Sequence, residues 1–185
     1  MIKSIETEYR GTIYRSKLEA RWCVFFDTLG VKYEYEPQHY DLGFENPDWN
    51  WLDEESLREE LSCNWEYDED DIRREVWKEK NKKIFYLPDF WLPEFQHWIE
   101  IKGKYPTVEE QRKARYLAYH TGFPATVLYG NIPDPKEEDW AKNTEVYQSD
   151  MNIIALLVIK YGVKAMQSAL TAARQARFAE AVHHG

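Results

Sequence analysis

The sequence predicts an α/β fold with a central mixed β-sheet of about four strands flanked by helices, an acidic insertion and extra C-terminal helices. Three observations carry this reading. Leu18, Trp22, Phe25, Phe26 and Leu29 recur at helical spacing and are closed by Gly30; Val31, Tyr33 and Tyr35 then alternate with Lys32, Glu34 and Glu36, so a helix leads into a strand. Residues 85–92 and 97–102 are two strand patterns separated by Pro93-Glu94-Phe95-Gln96, the length of a hairpin turn. A helix over 107–121, opened by the capping-box pattern Thr107-Val108-Glu109-Glu110 and stopped by Gly122, leads into a further short strand over 125–129.

Between these patterns lies an excursion, about 43–83, dominated by Asp and Glu and carrying Trp49, Trp51, Trp65 and Trp77. Leu57, Leu61, Ile72 and Val76 suit short amphipathic helices there, so this insertion is expected to be partly ordered and packed on the main body. From 149 two further helices are expected, broken near Gly162, which divides the chain into a core at 1–148 and a C-terminal helical extension at 149–185. No internal repeat is present.

The chain has 185 residues and a formal net charge of −9, enough for one domain of common size. Such a balance argues against clamping nucleic acid with bulk positive charge, so any contact of that kind must be local or metal-assisted. Cys23 and Cys63 make neither a zinc site nor a disulfide framework, which points to a reducing compartment. The N-terminal MIKSIETEYR has no apolar stretch, and the apolar run 153–159 is too short to span a bilayer. A soluble, cytoplasmic protein without a membrane partner is expected.

The chemistry is expected in the hairpin. With a turn at 93–96, Leu92 faces His97, and the same register sets Asp89 opposite Glu100, with Lys102 on the same face. Directly opposed residues have Cβ atoms roughly 4.5–5.5 Å apart, so both carboxylates reach one cation. As pure structure, opposed like charges repel, whereas a divalent metal resolves the repulsion. Carboxylate oxygens suit Mg²⁺ or Mn²⁺, and a neighbouring lysine can serve an attacking water or charge developing on a phosphorus centre.

Tyr86-Leu87-Pro88-Asp89 followed by Glu100-Ile101-Lys102-Gly103 resembles the paired motifs of the PD-(D/E)XK nuclease superfamily. Arg15-Ser16-Lys17-Leu18-Glu19, with the helix and strand after it, is similar to the glutamate-bearing element of phage Holliday-junction resolvases of the endonuclease I type and of transposon-end nucleases. The resemblance covers about 9–42 and 85–129 and implies a restriction-endonuclease-like core. It further implies a metal-dependent DNA endonuclease associated with a phage or mobile element, serving recombination, repair or DNA processing. Asp89, Glu100 and the Ile101 carbonyl would bind Mg²⁺ (or Mn²⁺), Glu19 would complete the site, and Lys102 would serve the nucleophile or transition state. Gln111 and Lys113 would touch phosphate. Arg15, Lys17 and Lys104, with Arg10, Arg112 and Arg115, suit a basic rim for DNA. The metal site is expected on the exposed edge side of the sheet.

Each residue also has a plainer reading. Ser16-Lys17-Leu18-Glu19 is itself a capping box, although at about 100° per residue Glu19 falls beside Phe26, where its carboxylate can lean over the sheet. Asp89 suits a turn, Glu100 and Lys102 a salt-bridged strand face, and the other polar residues a solvated surface. His39, His97 and His120 show no ligand spacing and are expected in packing or solvent. The alternative to a nuclease is a catalytically weak or inactive nucleic-acid- or protein-binding module on the same fold; RNA as target, or action beside a recombination or transposition partner protein, stays open. The surplus of apolar residues at 153–159, with Met166, Leu170 and Phe178, suits a homodimer contact or a cover for the chain's own sheet.

Overall fold

The computed structural model describes residues 5–42, 58–59, 61–63, 68–80, 84–137, 145–147 and 152–178. It opens on a hairpin, β1 (Thr7–Tyr9) and β2 (Thr12–Tyr14), whose turn residues Arg10 and Gly11 both have positive φ, 51° and 79°. A two-residue turn that follows strand twist requires that conformation. Next comes α1 (Lys17–Leu29), where the Ser16 hydroxyl accepts from the Glu19 N–H at 3.1 Å and Gly30 closes the last turn at φ 74°. Its buried stripe of Trp22, Phe25, Phe26 and Leu29 is the one the spacing predicts.

A mixed five-stranded sheet follows. Its order is β3 (Glu34–Tyr35), β6 (Phe90–Leu92), β7 (His97–Lys102), β8 (Ala125–Tyr129) and β9 (Glu145–Tyr147); β7 and β8 are parallel and the other pairs antiparallel. Between β7 and β8 the chain crosses over through α3 (Val108–Thr121), whose Thr107–Glu110 capping box forms in both directions. Two short strands stand apart as a pair, β4 (Tyr40–Asp41) with β5 (Phe85–Tyr86), while α2 (Glu69–Lys80) lies in the acidic excursion between them. The last described helices are α4 (Ile153–Tyr161) and α5 (Val163–Gln175), parted at Gly162.

Alternation along the strands sorts the core into two sides. Phe90, Leu92, Ile99, Ile101 and Leu128 join α1, α4 and α5 in one cluster; Trp98, Ala125 and Val127 join Tyr86, Leu42 and Ala114, Tyr116 and Leu117 of α3 in the other. Helices therefore cover both faces, as a sheet with a parallel pair requires. Burying each of Trp22, Phe25 and Phe26 contributes about 1.5–3 kcal/mol, which pins α1 to the sheet. Among the described residues no single helix is long and apolar enough to cross a membrane; α4 and α5 pass such a test only jointly and are bent by 115°. Ile153, Ile154 and Leu157 of the C-terminal apolar run are buried in the chain's own core, whereas Ile159 is 81% exposed.

The structure corrects two expectations and adds one strand to the sheet of about four. Residues 85–92 are not one strand, because the chain bends at Leu87-Pro88-Asp89 and β5 leaves for β4; Pro88 has no N–H to give to a ladder. The strand expected from Val31 shrinks to Glu34–Tyr35: the Val31 N–H donates to the Phe26 carbonyl at the end of α1, at 2.9 Å, and β6 ends at Leu92 before the turn at Pro93. The sheet has a fifth strand, β9, on the outer side of β8. In the excursion the helix expected from Ile72 and Val76 is α2, with both side chains buried and Trp77 exposed, and Leu61 is half-buried. Trp49, Trp51, Leu57 and Trp65 lie outside the described residues.

Candidate metal and phosphate site

The hairpin register is the one the turn length predicts: Leu92 faces His97, Trp91 faces Trp98 and Phe90 faces Ile99. Asp89, one residue before β6, therefore falls opposite Glu100 on the α3 side of the sheet. Both are nearly shut off from water, Asp89 at 2% and Glu100 at 6% relative exposure. The Asp89 carboxylate accepts from the Ile101 N–H at 2.6 Å on one oxygen and from the Arg15 guanidinium at 2.5 Å on the other. Glu100 accepts from the Tyr86 hydroxyl at 2.9 Å and pairs with the Lys102 ammonium at 2.7 Å. Lys102 also approaches Glu110 of α3 at 3.7 Å, a carboxylate that the capping box holds in place. The expected position on an exposed edge is overturned: β7 is the middle strand, and the carboxylates lie recessed beneath α3 and the β4–β5 pair.

Glu19 is buried too, at 6% exposure. Only half of a capping box forms, for its N–H donates to the Ser16 hydroxyl while its carboxylate accepts from the Ser16 hydroxyl at 2.6 Å and from the Tyr35 hydroxyl at 2.7 Å. Tyr35 stands on β3, so Glu19 leans toward the sheet. Arg15 ties the two halves together: its N–H donates to the Tyr35 hydroxyl at 3.0 Å, and its guanidinium pairs with Glu36 as well as Asp89.

The charges explain the titration behaviour. Burial pushes the Asp89 carboxyl well above the usual carboxylate range, the neighbouring Glu100 and Glu19 push it further, and the Ile101 N–H and Arg15 only partly oppose them. Burial would lower Lys102, yet Glu100, Asp89 and Glu110 outweigh it and hold the ammonium above its ordinary value. Tyr86 is raised by burial and then by Glu100, so it remains a hydrogen-bond donor.

A cleft of about 460 Å³ opens over this cluster, walled by Arg15, His39, Phe85, Tyr86, Glu100, Lys102, Glu110 and Lys113 among others. The structure thus brings Asp89, Glu100, Ile101, Lys102 and Arg15 together, with Lys113 at the cleft; Glu19 does not line the cleft but bonds Ser16 and Tyr35 and acts on Asp89 through its charge. Lys17 and Lys104 are exposed and do not line the cleft, and the Gln111 amide donates to the Pro106 carbonyl at 2.9 Å. Tyr35, Glu36 and Glu110 were not read from the sequence as site residues, and Tyr86 was quoted only within its motif; each reaches the cluster through the tertiary fold. His39 faces the cleft, whereas His97 is fully buried, bonds Thr126 at 2.8 Å and is lowered to about 4 by burial.

No three or more His, Cys, Asp and Glu side chains among the described residues form a group arranged to hold a metal ion. Asp89 and Glu100 are two, and Mg²⁺ is commonly held by one or two carboxylates with water and substrate phosphate completing its shell. Two opposed, buried carboxylates make an all-oxygen donor pair of the kind that suits a hard divalent cation such as Mg²⁺ or Mn²⁺, and in this structure Arg15 pairs with Asp89 and Lys102 with Glu100. No family model, curated protein or solved structure matches the chain.

Proposed function

We propose that the protein is a metal-dependent DNA endonuclease that hydrolyses phosphodiester bonds at this cleft. The observation that carries the reading is the meeting of Asp89 and Glu100 across one hairpin, with Lys102 on the same face and Glu100 and Lys102 lining one cleft. Asp89, Glu100 and the Ile101 carbonyl would hold the metal. When bound, Mg²⁺ or Mn²⁺ supplies Lewis-acid polarisation of a phosphate and a more acidic water. The chain's own groups do the rest. Lys102, kept protonated by Glu100 and Glu110, sets a positive charge where the phosphate gains negative charge. Tyr86 fixes the orientation of Glu100, and Ser16 and Tyr35 fix that of Glu19. Arg15 and Lys113 offer charge to a flanking phosphate.

The Arg15 contact to Asp89 favours a second reading, in which a protein cation already neutralises the carboxylates and the fold only binds nucleic acid or protein. One assay separates the two: duplex, single-stranded, branched and RNA substrates incubated with Mg²⁺, Mn²⁺ or excess chelator. Cleavage of DNA that chelator abolishes supports the nuclease. Equal cleavage in chelator, or binding with no cleavage of any substrate, overturns it.

A further inference from the structure

Tyr86 points inward to Glu100, and Phe85 stands in the cleft wall with 67% of its surface exposed. A lone exposed apolar residue is ordinary. Phe85 is unusual in its company, for the same cleft presents Glu100, Lys102, Arg15 and Lys113.

We propose that Phe85 is a stacking platform for an unpaired base next to the scissile phosphate, which makes DNA with single-stranded or opened nucleotides at the cleavage point the preferred substrate. The proposal deepens the nuclease reading and rests on it. Two features support it. Asp89 and Glu100 are recessed, so a phosphate must enter the cleft to reach them; an unpaired nucleotide can fold its backbone inward while its base lies against a ring, whereas a base held in the duplex stack cannot. Affinity must also come from something other than a long phosphate track, because the chain carries net charge −9 and, among the described residues, the cleft itself presents Arg15, Lys102 and Lys113 alone as cations for phosphate. Stacking on an aromatic ring needs no net charge and tolerates any base.

The test measures binding in Ca²⁺ and cleavage in Mg²⁺ for the wild type, Phe85→Ala, Phe85→Trp and, as a control on the far part of α3, Tyr119→Ala. The probes are a forked oligonucleotide with 2-aminopurine at the first unpaired position, the same fork abasic there, and a blunt duplex. Phe85→Ala should weaken fork binding by about tenfold and lose the 2-aminopurine quench, with duplex binding unchanged. Phe85→Trp should restore both, and the abasic fork should erase the difference between variants. Equal fork binding by wild type and Phe85→Ala, or a Phe85 effect that persists on the abasic fork, overturns the platform. Metal-dependent cutting without a Phe85 effect sinks the platform and leaves the nuclease. Phe85-dependent stacking without cutting in any divalent metal supports the platform and sinks the nuclease.

Discussion

Asp89 sits where burial and neighbouring carboxylates disfavour its charged form, and that tension is measurable. The folded chain raises its carboxyl above the ordinary value of about 3.9, so the folded state takes up this proton more readily than the unfolded one. Its contribution to stability is complete below the unfolded value and is lost as pH climbs through the raised folded value. Wild type should therefore lose stability relative to Asp89→Asn as pH rises from the ordinary carboxylate value through the raised folded one, read as the difference in denaturation midpoints. Adding Mg²⁺ should raise the wild-type midpoint at neutral pH and leave that of Asp89→Asn unmoved. Lys102→Ala should lower the cleavage rate by roughly 10²–10³-fold while DNA and Mg²⁺ affinities persist, as calorimetry and single-turnover rates would separate. If its rate stayed normal, the lysine would have no part in the chemistry. The facing of Asp89 and Glu100 was legible in the sequence because the 93–96 turn fixes register. The Arg15–Asp89 contact was not, since it joins residues 74 positions apart that no local pattern relates.

At the scale of elements, helix ends do more than stop helices. Thr107 caps α3 and, through the reciprocal bond, holds Glu110 beside Lys102. Thr107→Ala should cost about 1 kcal/mol by urea denaturation and speed amide exchange in the first turn of α3. It should also weaken the upward pull on the Lys102 ammonium, which its titration would register. Helices α1 and α3 were legible because each carries its cap, stripe and closing glycine in sequence. The β1–β2 hairpin, β4 and β9 were not, because strands of two or three residues hold hardly more than one period of alternation. Pro88 was visible throughout, but that it would send β5 to a different partner depends on β4, which lies on the far side of the excursion.

For the whole molecule, the C-terminal helices are part of what holds the site still. Helix α5 lies against α1, and Met166, Ala169, Leu170 and Ala173 are buried in the cluster that includes Trp22, Phe25 and Phe26. Small side chains at Ala20, Ala169 and Ala173 leave space for close approach. Ala169→Leu should overpack this contact and cost about 1–3 kcal/mol, whereas Ile159→Ala on the exposed side of α4 should stay within about 0.5 kcal/mol, both by chemical denaturation. Because α1 carries Glu19 and the turn before it carries Arg15, the overpacked variant should also shift Mg²⁺ affinity, a coupling the Ile159 variant should lack.

The β4–β5 pair has one further consequence. Tyr40 faces Tyr86, Asp41 faces Phe85, and the Leu42 N–H reaches the Ile84 carbonyl at 2.9 Å, so the chain leaves for its acidic excursion and returns at a single stitched point. A segment anchored in this way is a cassette. Its length and sequence can drift, expand or be exchanged among descendants without disturbing register on either side, because the ladder beneath it closes the same way whatever it carries. Tyr86 and Phe85 stand on the returning strand, within a few positions of that seam. Inheritance can therefore rewrite the excursion while the cleft residues beside the seam keep their places.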